Sequence, residues 1–218
     1  MLEAIVRQYE MFVDRWDIVV LATQEHLYMV IVAMVFAVGI SVPLGIVLSR
    51  WNRFAEPIIG VAAVAQTIPS LALVGIIMMF IGIGKPPAIM ALTIYAILPI
   101  LRNTYTGIKG IEPSAIEAGK GLGMTNLQIL YKIQLPLALP VIMAGIRTAT
   151  VITVGIATLA TFIGAGGLGD PIMRGIDTRN NYLIFIGVIP AALLAIILDV
   201  LIKKIEHWAT PRGVRQNT

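Results

Sequence analysis

The sequence predicts an all-α membrane protein with five transmembrane helices. Three observations carry this reading: 58% of the 218 residues are hydrophobic and only 13% charged, the mean hydropathy is +0.89, and the charges fall between long apolar runs. A soluble domain carries about 25% charged residues, so water is the wrong solvent for most of this surface. With no cysteine, the chain holds neither a disulfide framework nor a thiolate metal site. His26 and His207 lie at opposite ends of the chain and read as interfacial polar residues, not a metal pair. A net charge of +4 would suggest nucleic acid for a soluble protein. Here membrane topology accounts for it, and no nucleic-acid partner is expected.

The elements follow in order. Apolar Leu2, Ile5, Val6, Tyr9, Phe12, Val13 and Trp16 recur at helical spacing among acids and Arg7, predicting an amphipathic helix over 1–22. It lacks the basic start and small-residue cleavage site of a signal peptide, so it is expected in the outer interface or packed on the bundle. From Leu27 to Ser49 no charge occurs for 23 residues, which predicts a first span over 27–49. The second, 57–83, is interrupted by "QTIPS", residues 66–70. Pro69 donates no backbone hydrogen bond and crowds the Ala65 carbonyl, so this helix is expected to kink or break within the membrane. A third span covers 86–105, and the polar stretch 106–136 cannot cross a bilayer. The fourth, 138–164, contains Arg147, which must point into the bundle or toward one face because a cation at the bilayer centre costs about 3 kcal/mol. The fifth, 182–203, ends with Asp199 four residues before Lys203, a pairing distance on a helix. Residues 207–218 form a basic tail able to touch anionic lipid.

Placing the amino terminus outside puts eleven of the 16 Lys and Arg residues on the inner side and five on the outer. That is the distribution topology favours, and it makes the 106–136 loop cytoplasmic.

The loop has its own punctuation. Pro113 suits the first turn of a short helix, and Gly121 and Gly123 its end. Thr125 and Gln128 form a capping box for a second helix, expected to stop at Pro136. A loop closed in this way is a rigid protrusion. Within it Glu117, Ala118 and Gly119 are followed after three residues by Gly123, after nine more by Ile133, then by Leu135 and Pro136. This resembles the "EAA" loop of bacterial ABC importer permeases, Glu-Ala-Ala, three, Gly, nine, Ile, one, Leu-Pro, with Gly119 in place of the second alanine. "SVPLGIVLSR", "QTIPSLALVG" and "TFIGAGGLGDPIMRGI" extend the resemblance to the glycine betaine, carnitine, choline and proline branch of that family.

The resemblance implies a permease in the bacterial plasma membrane. A second permease, identical or homologous, would complete the pathway, and cytoplasmic ATPase subunits would receive the loop. An extracellular binding protein would deliver an osmoprotectant. Glu117, Ala118, Gly119 and Gly123 would form the docking corner, with Ile133, Leu135 and Pro136 in its exit. ATP and magnesium would act on the ATPase alone, since the chain has no G-x-x-x-x-G-K-[ST], and no cofactor or metal is expected here.

The residues also offer pathway candidates. Broken helices expose backbone polar groups at membrane depth, which singles out Gln66, Thr67, Pro69 and Ser70. At 100° per residue Thr150, Thr153, Thr158 and Thr161 share an arc of about 140°, a stripe able to line a pathway, glue helices together or close its hydroxyls on the preceding turn. Gly164, Gly166 and Gly169 have G-x-G-x-x-G spacing, but a dinucleotide fold needs a strand before them and an acid about 20 residues later, and position 189 is Ile189. Together with Gly167 they are expected to form an outer turn of the gate. Among other functions, a methionine or thiol-betaine importer shares these features. An ATP-independent channel or carrier is opposed by the absence of any acid or histidine between residues 57 and 111. No paired carboxylates or activated nucleophile in the spans suggest an enzyme.

Overall fold

The structure, a computed structural model, describes residues 16–210. Among these residues every regular element is helical. The first helix, α1, runs unbroken from Trp16 to Arg50 over 35 residues. It therefore joins the predicted interfacial helix to the first span, and residues 1–15 of that prediction lie outside the described residues. No proline or glycine separates Trp16 from Leu27. The polar residues there do not mark a boundary: Thr23 donates to the Val19 carbonyl, while Glu25 and His26 bond to the 164–169 turn.

The second span is broken rather than gently kinked. Helix α2, Asn52–Thr67, and helix α3, Ser70–Ile81, meet at 97°. Ile68, the residue before Pro69, is extended at φ −67°, ψ 128°, as proline's ring demands of its predecessor. Helix α4 covers Lys85–Lys109 and begins at a glycine with two prolines in its first turn.

Past α4 stand α5, Pro113–Gly121, and the four-residue α6, Asn126–Ile129. The chain does not stop at Pro136 as predicted. A π turn, Leu130–Gln134, carries it into α7, Leu135–Ala157, and the Leu135 N–H bonds five residues back to Leu130. The wider turn gives Pro136 the room its ring needs against the preceding turn, so the helix continues. At Thr158 the helix tightens into a 3₁₀ segment, Thr158–Ile163. Helix α8, Gly169–Asp177, is short, and α9 runs from Asn181 to Ala209. It extends past the predicted end at 203 and takes in the first residues of the predicted tail; residues 211–218 lie outside the described residues.

By length and composition α1, α4, the stretch Asn126–Ile163 and α9 can each cross a membrane, and the bent α2–α3 pair, counted as one span, makes a fifth. Helix α4 is the centre, packed most extensively on α1 and α7, while α9 lies on α7 and α8. The main core joins Met29, Ala33 and Ala37 of α1 to Ala88, Ala91 and Leu92 of α4 and Ala149 and Val154 of α7. Small residues let these helices approach closely, which matters where lipid offers no hydrophobic drive between helices. A Cβ on Gly145 would lie 2.8 Å from the Pro99 carbonyl oxygen, and one on Gly45 2.7 Å from Thr104 Cβ. Conversely, α9 leaves Phe185, Leu193, Ile196 and Ile197 exposed, the surface of a helix bordering hydrocarbon.

Arg147 reaches across to α9 and remains partly exposed, so Asp199 has a different partner from the Lys203 that spacing suggested. Arg147 Nε and Nη2 donate to the two Asp199 carboxylate oxygens at 2.8 and 3.1 Å, and Glu206 lies 3.9 Å from Nη1. A forked guanidinium matches both oxygens of a carboxylate, which the single ammonium of Lys203 cannot do.

Candidate functional site

Three places gather most of the residues that the sequence singles out: a projecting corner, a bend and a glycine turn. The corner between α5 and α6 is closed by its own sequence. Met124 and Gly123 donate to the Gly119 and Lys120 carbonyls, and Gly123 takes φ +72°, a Schellman ending. Thr125 and Gln128 then form the predicted capping box, with bonds of 2.8 and 3.3 Å. Arg50, at the end of α1, donates to the Asn126 carbonyl and to Gln134 Oε1 at 3.1 and 3.2 Å. The corner is thus fastened to a span by a residue outside the loop.

Glu117, Ala118 and Gly123 are exposed on this corner, whereas Gly119 is buried. A Cβ on Gly119 would meet Ile133 Cδ1 at 2.6 Å, so this glycine lets α5 close on the π turn instead of presenting a docking surface. Ile133, Leu135 and Pro136 are half-buried on the other leg. Sequence reasoning passed over three apolar side chains that project here: Leu122 at 80% exposure, Leu127 at 66% and Tyr131 at 65%. The available signal was their large apolar character within a polar loop. Beneath α5, a cleft of about 400 Å³ is lined by Arg50, Lys109, Glu117, Lys120 and Gln134 among others.

At the bend, Gln66 Nε2 donates to the Tyr95 carbonyl at 2.7 Å. The Tyr95 hydroxyl donates to the Ile68 carbonyl. One α4 residue therefore secures the end of α2 and the break that follows it, and satisfies the carbonyl that the missing helical turn would leave open. Thr67 and Pro69 are exposed, Ser70 half-buried, and Thr67 closes on the Val64 carbonyl.

The threonine stripe is not present as one face. Thr150 and Thr153 are buried inside the bundle at 3% and 0% exposure, which removes them from any open pathway in this structure. Thr150 bonds the Ile146 carbonyl, and Thr153 lies against Met34 Sδ at 3.8 Å. Thr158 and Thr161 sit on the 3₁₀ segment, where the turn is 120° per residue and the α-helical arc no longer applies. Thr158 closes on Gly155, and Thr161 donates to Asp170 Oδ1.

The glycine turn is preceded by helix, not strand. Gly164, Gly166 and Gly167 take φ +68°, +79° and +87°, the left-handed region open to glycine. Gly169 starts α8, where an added Cβ would lie 1.9 Å from the Thr158 carbonyl oxygen. Across from the turn, Glu25 Oε2 accepts from the Gly167 N–H at 3.1 Å and His26 Nδ1 from the Leu168 N–H at 3.3 Å. His26 is fully buried, which corrects the interfacial reading of that residue. Glu25 Oε1 also pairs with Lys85 at 2.9 Å.

The comparisons agree with this architecture. Residues 41–211 match the family described as "Binding-protein-dependent transport system inner membrane component". The chain is 47% identical over 193 residues to the glycine betaine/carnitine/choline transport system permease protein OpuCB of Bacillus subtilis, covering 88% of this chain and 89% of that protein. It is 44% identical over 194 residues to the carnitine transport permease protein OpuCB of Listeria monocytogenes, covering 89% of each. Among solved structures, an inward facing conformation of the MetNI methionine ABC transporter superposes with a TM-score of 0.78 over 91% of this chain and 99% of that one. At 24% identity that likeness concerns the fold. Spans, corner and sequence likeness together establish that the chain belongs to the inner membrane permeases of binding-protein-dependent ABC transport systems.

Proposed function

We propose that this permease imports quaternary ammonium osmoprotectants, with glycine betaine, carnitine and choline as the first substrates to test. The carrying observation is the 44 to 47% identity, across nearly nine-tenths of the chain, to permeases named for those solutes. The chain is a permease and not an enzyme; ATP hydrolysis belongs to a separate ATPase. In our reading the amino terminus is outside and the α5–α6 corner faces the ATPase. Glu117, Ala118 and Gly123, with Leu122, Leu127 and Tyr131, form its docking face. Gly119, Ile133, Leu135 and Pro136 keep that face rigid behind it.

The bend at Gln66, Thr67, Pro69 and Ser70 lies beside the pathway, shared with a second permease. An irregular segment at membrane depth is tolerated where protein covers it or water reaches it, and the exposed Thr67 and Pro69 meet neither within this chain. The glycine turn is the outer gate, where an extracellular binding protein delivers its load. The sequence places no cluster of aromatic residues within a span that would cage a quaternary ammonium, so in our reading selection falls mainly to the binding protein.

Uptake of labelled glycine betaine, carnitine and choline by the reconstituted transporter tests the substrate. Accumulation of at least one is expected, and transport of methionine with none of the three would overturn the assignment. Coupling is tested by Glu117→Trp and Gly123→Trp, which should abolish binding-protein-stimulated ATPase activity. Unchanged stimulation would remove the corner from coupling.

A further inference from the structure

The glycine turn is closed only in part by its own residues. After the 3₁₀ segment ends, Ala165 and Gly164 donate to Ala160 and Thr161 and close that end. Beyond Gly166, the N–H groups of Gly167 and Leu168 go to no side chain of the turn itself; Leu168, the residue before α8, makes no side-chain cap. Both go to adjacent residues of α1, Glu25 and His26, 142 positions away.

The histidine is used at both ends. Because Nδ1 accepts from Leu168, the ring proton resides on Nε2, which donates to the Val154 carbonyl at 3.1 Å. That carbonyl is available because the chain tightens at Thr158, whose N–H turns to Gly155. Glu25 divides its carboxylate similarly, one oxygen to Gly167 and the other to Lys85 at the start of α4. Next to Lys85, the Gly84 N–H bonds the Ile163 carbonyl at 2.9 Å. One dipeptide of α1 thus joins the glycine turn, the end of α7 and the start of α4. Gly166 fits the same arrangement, since a Cβ there would lie 2.3 Å from Glu25 Oε2.

We infer that Glu25 and His26 are positioning residues for transport: by gripping the N–H groups of Gly167 and Leu168, they set the pose in which the outer turn receives the substrate-loaded binding protein. This rests on the reading of the turn as the outer gate. A local cap would fix the turn's shape alone. A grip from α1, with Lys85 behind it, also fixes where the turn stands relative to two spans, which is what a docking partner reads.

The test uses the assembled transporter in lipid nanodiscs and measures ATPase stimulation against the concentration of loaded binding protein. His26→Leu removes both ring bonds and should raise the half-maximal concentration about tenfold, leaving the maximal rate per assembled complex within about twofold. His26→Gln, which retains a donor and an acceptor, should stay within about threefold of the parent. An unchanged half-maximal concentration in His26→Leu, or a loss confined to the amount of assembled complex, would overturn the inference.

If His26→Leu does not assemble, Glu25→Gln takes its place. It keeps an acceptor for Gly167 but loses the charge facing Lys85, and a rise of about threefold is expected; no rise is the negative result. Because the chain lacks cysteine, Arg174→Cys, at an exposed position of α8, reports the side of the membrane alone. An impermeant maleimide should label it in intact cells. Failure to label removes the outer-gate reading and the inference with it, whereas labelling with an unaltered half-maximal concentration removes the inference alone.

Discussion

The α5–α6 corner and the 164–169 turn begin alike and are finished from different places. Each opens with the same Schellman pair of bonds around a left-handed glycine, Gly123 in one and Gly164 in the other. At the corner the next donors are met at once by Thr125 and Gln128, three residues apart. At the turn the Gly167 and Leu168 N–H groups are met by Glu25 and His26 from another helix. Space differs as well: a Cβ at Gly123 has nothing within 4 Å, while one at Gly169 would lie 1.9 Å from a backbone oxygen. The corner is a local structure that stands out from the spans. The turn is a tertiary structure, and disturbing it disturbs the bundle.

Substitutions at the two sites should separate accordingly, read as melting temperature of the purified protein in detergent. The largest loss is expected from Gly169→Val, about 3 kcal/mol or more, because the obstructing atom is backbone and cannot swing aside. His26→Leu follows at about 2 to 4 kcal/mol, the cost of leaving the Leu168 N–H and the Val154 carbonyl without partners in the interior. At the corner, Gly123→Ala should cost about 1 to 2 kcal/mol, from the left-handed backbone alone. Thr125→Ala, which removes one half of the capping box, should cost about 1 kcal/mol or less. If the corner variants lower the melting temperature as much as Gly169→Val, the distinction between a local and a tertiary turn does not hold. If His26→Leu melts like the parent protein, the grip on the turn is weaker than its geometry implies.

Much of this was readable along the chain because the controlling contacts are short-range. Pro113, Gly123, Thr125 and Gln128 act on residues within one helical turn, so their spacing carries the corner. Pro69 breaks its own helix, and the uncharged runs mark the spans without knowledge of neighbours. Pro136 shows the limit: its effect depends on whether the preceding turn can widen, and here a π turn absorbs it. The threonine arc does not persist as one face, for a related reason. Two of its members lie where the helix tightens into 3₁₀ geometry, and the other two face the interior that α1 and α4 create.

By itself, then, the sequence determined the solvent, the spans, the break at Pro69 and the capped corner with its family pattern, all consequences of hydropathy and of bonds spanning a few residues. Only the tertiary structure decided what His26, Tyr95 and Asp199 do. Their partners are Leu168 and Val154, Ile68, and Arg147, each on another element of the chain. Such pairings depend on which helix faces lie together, and that is settled when small residues let α1, α4 and α7 pack, not by any spacing along the chain.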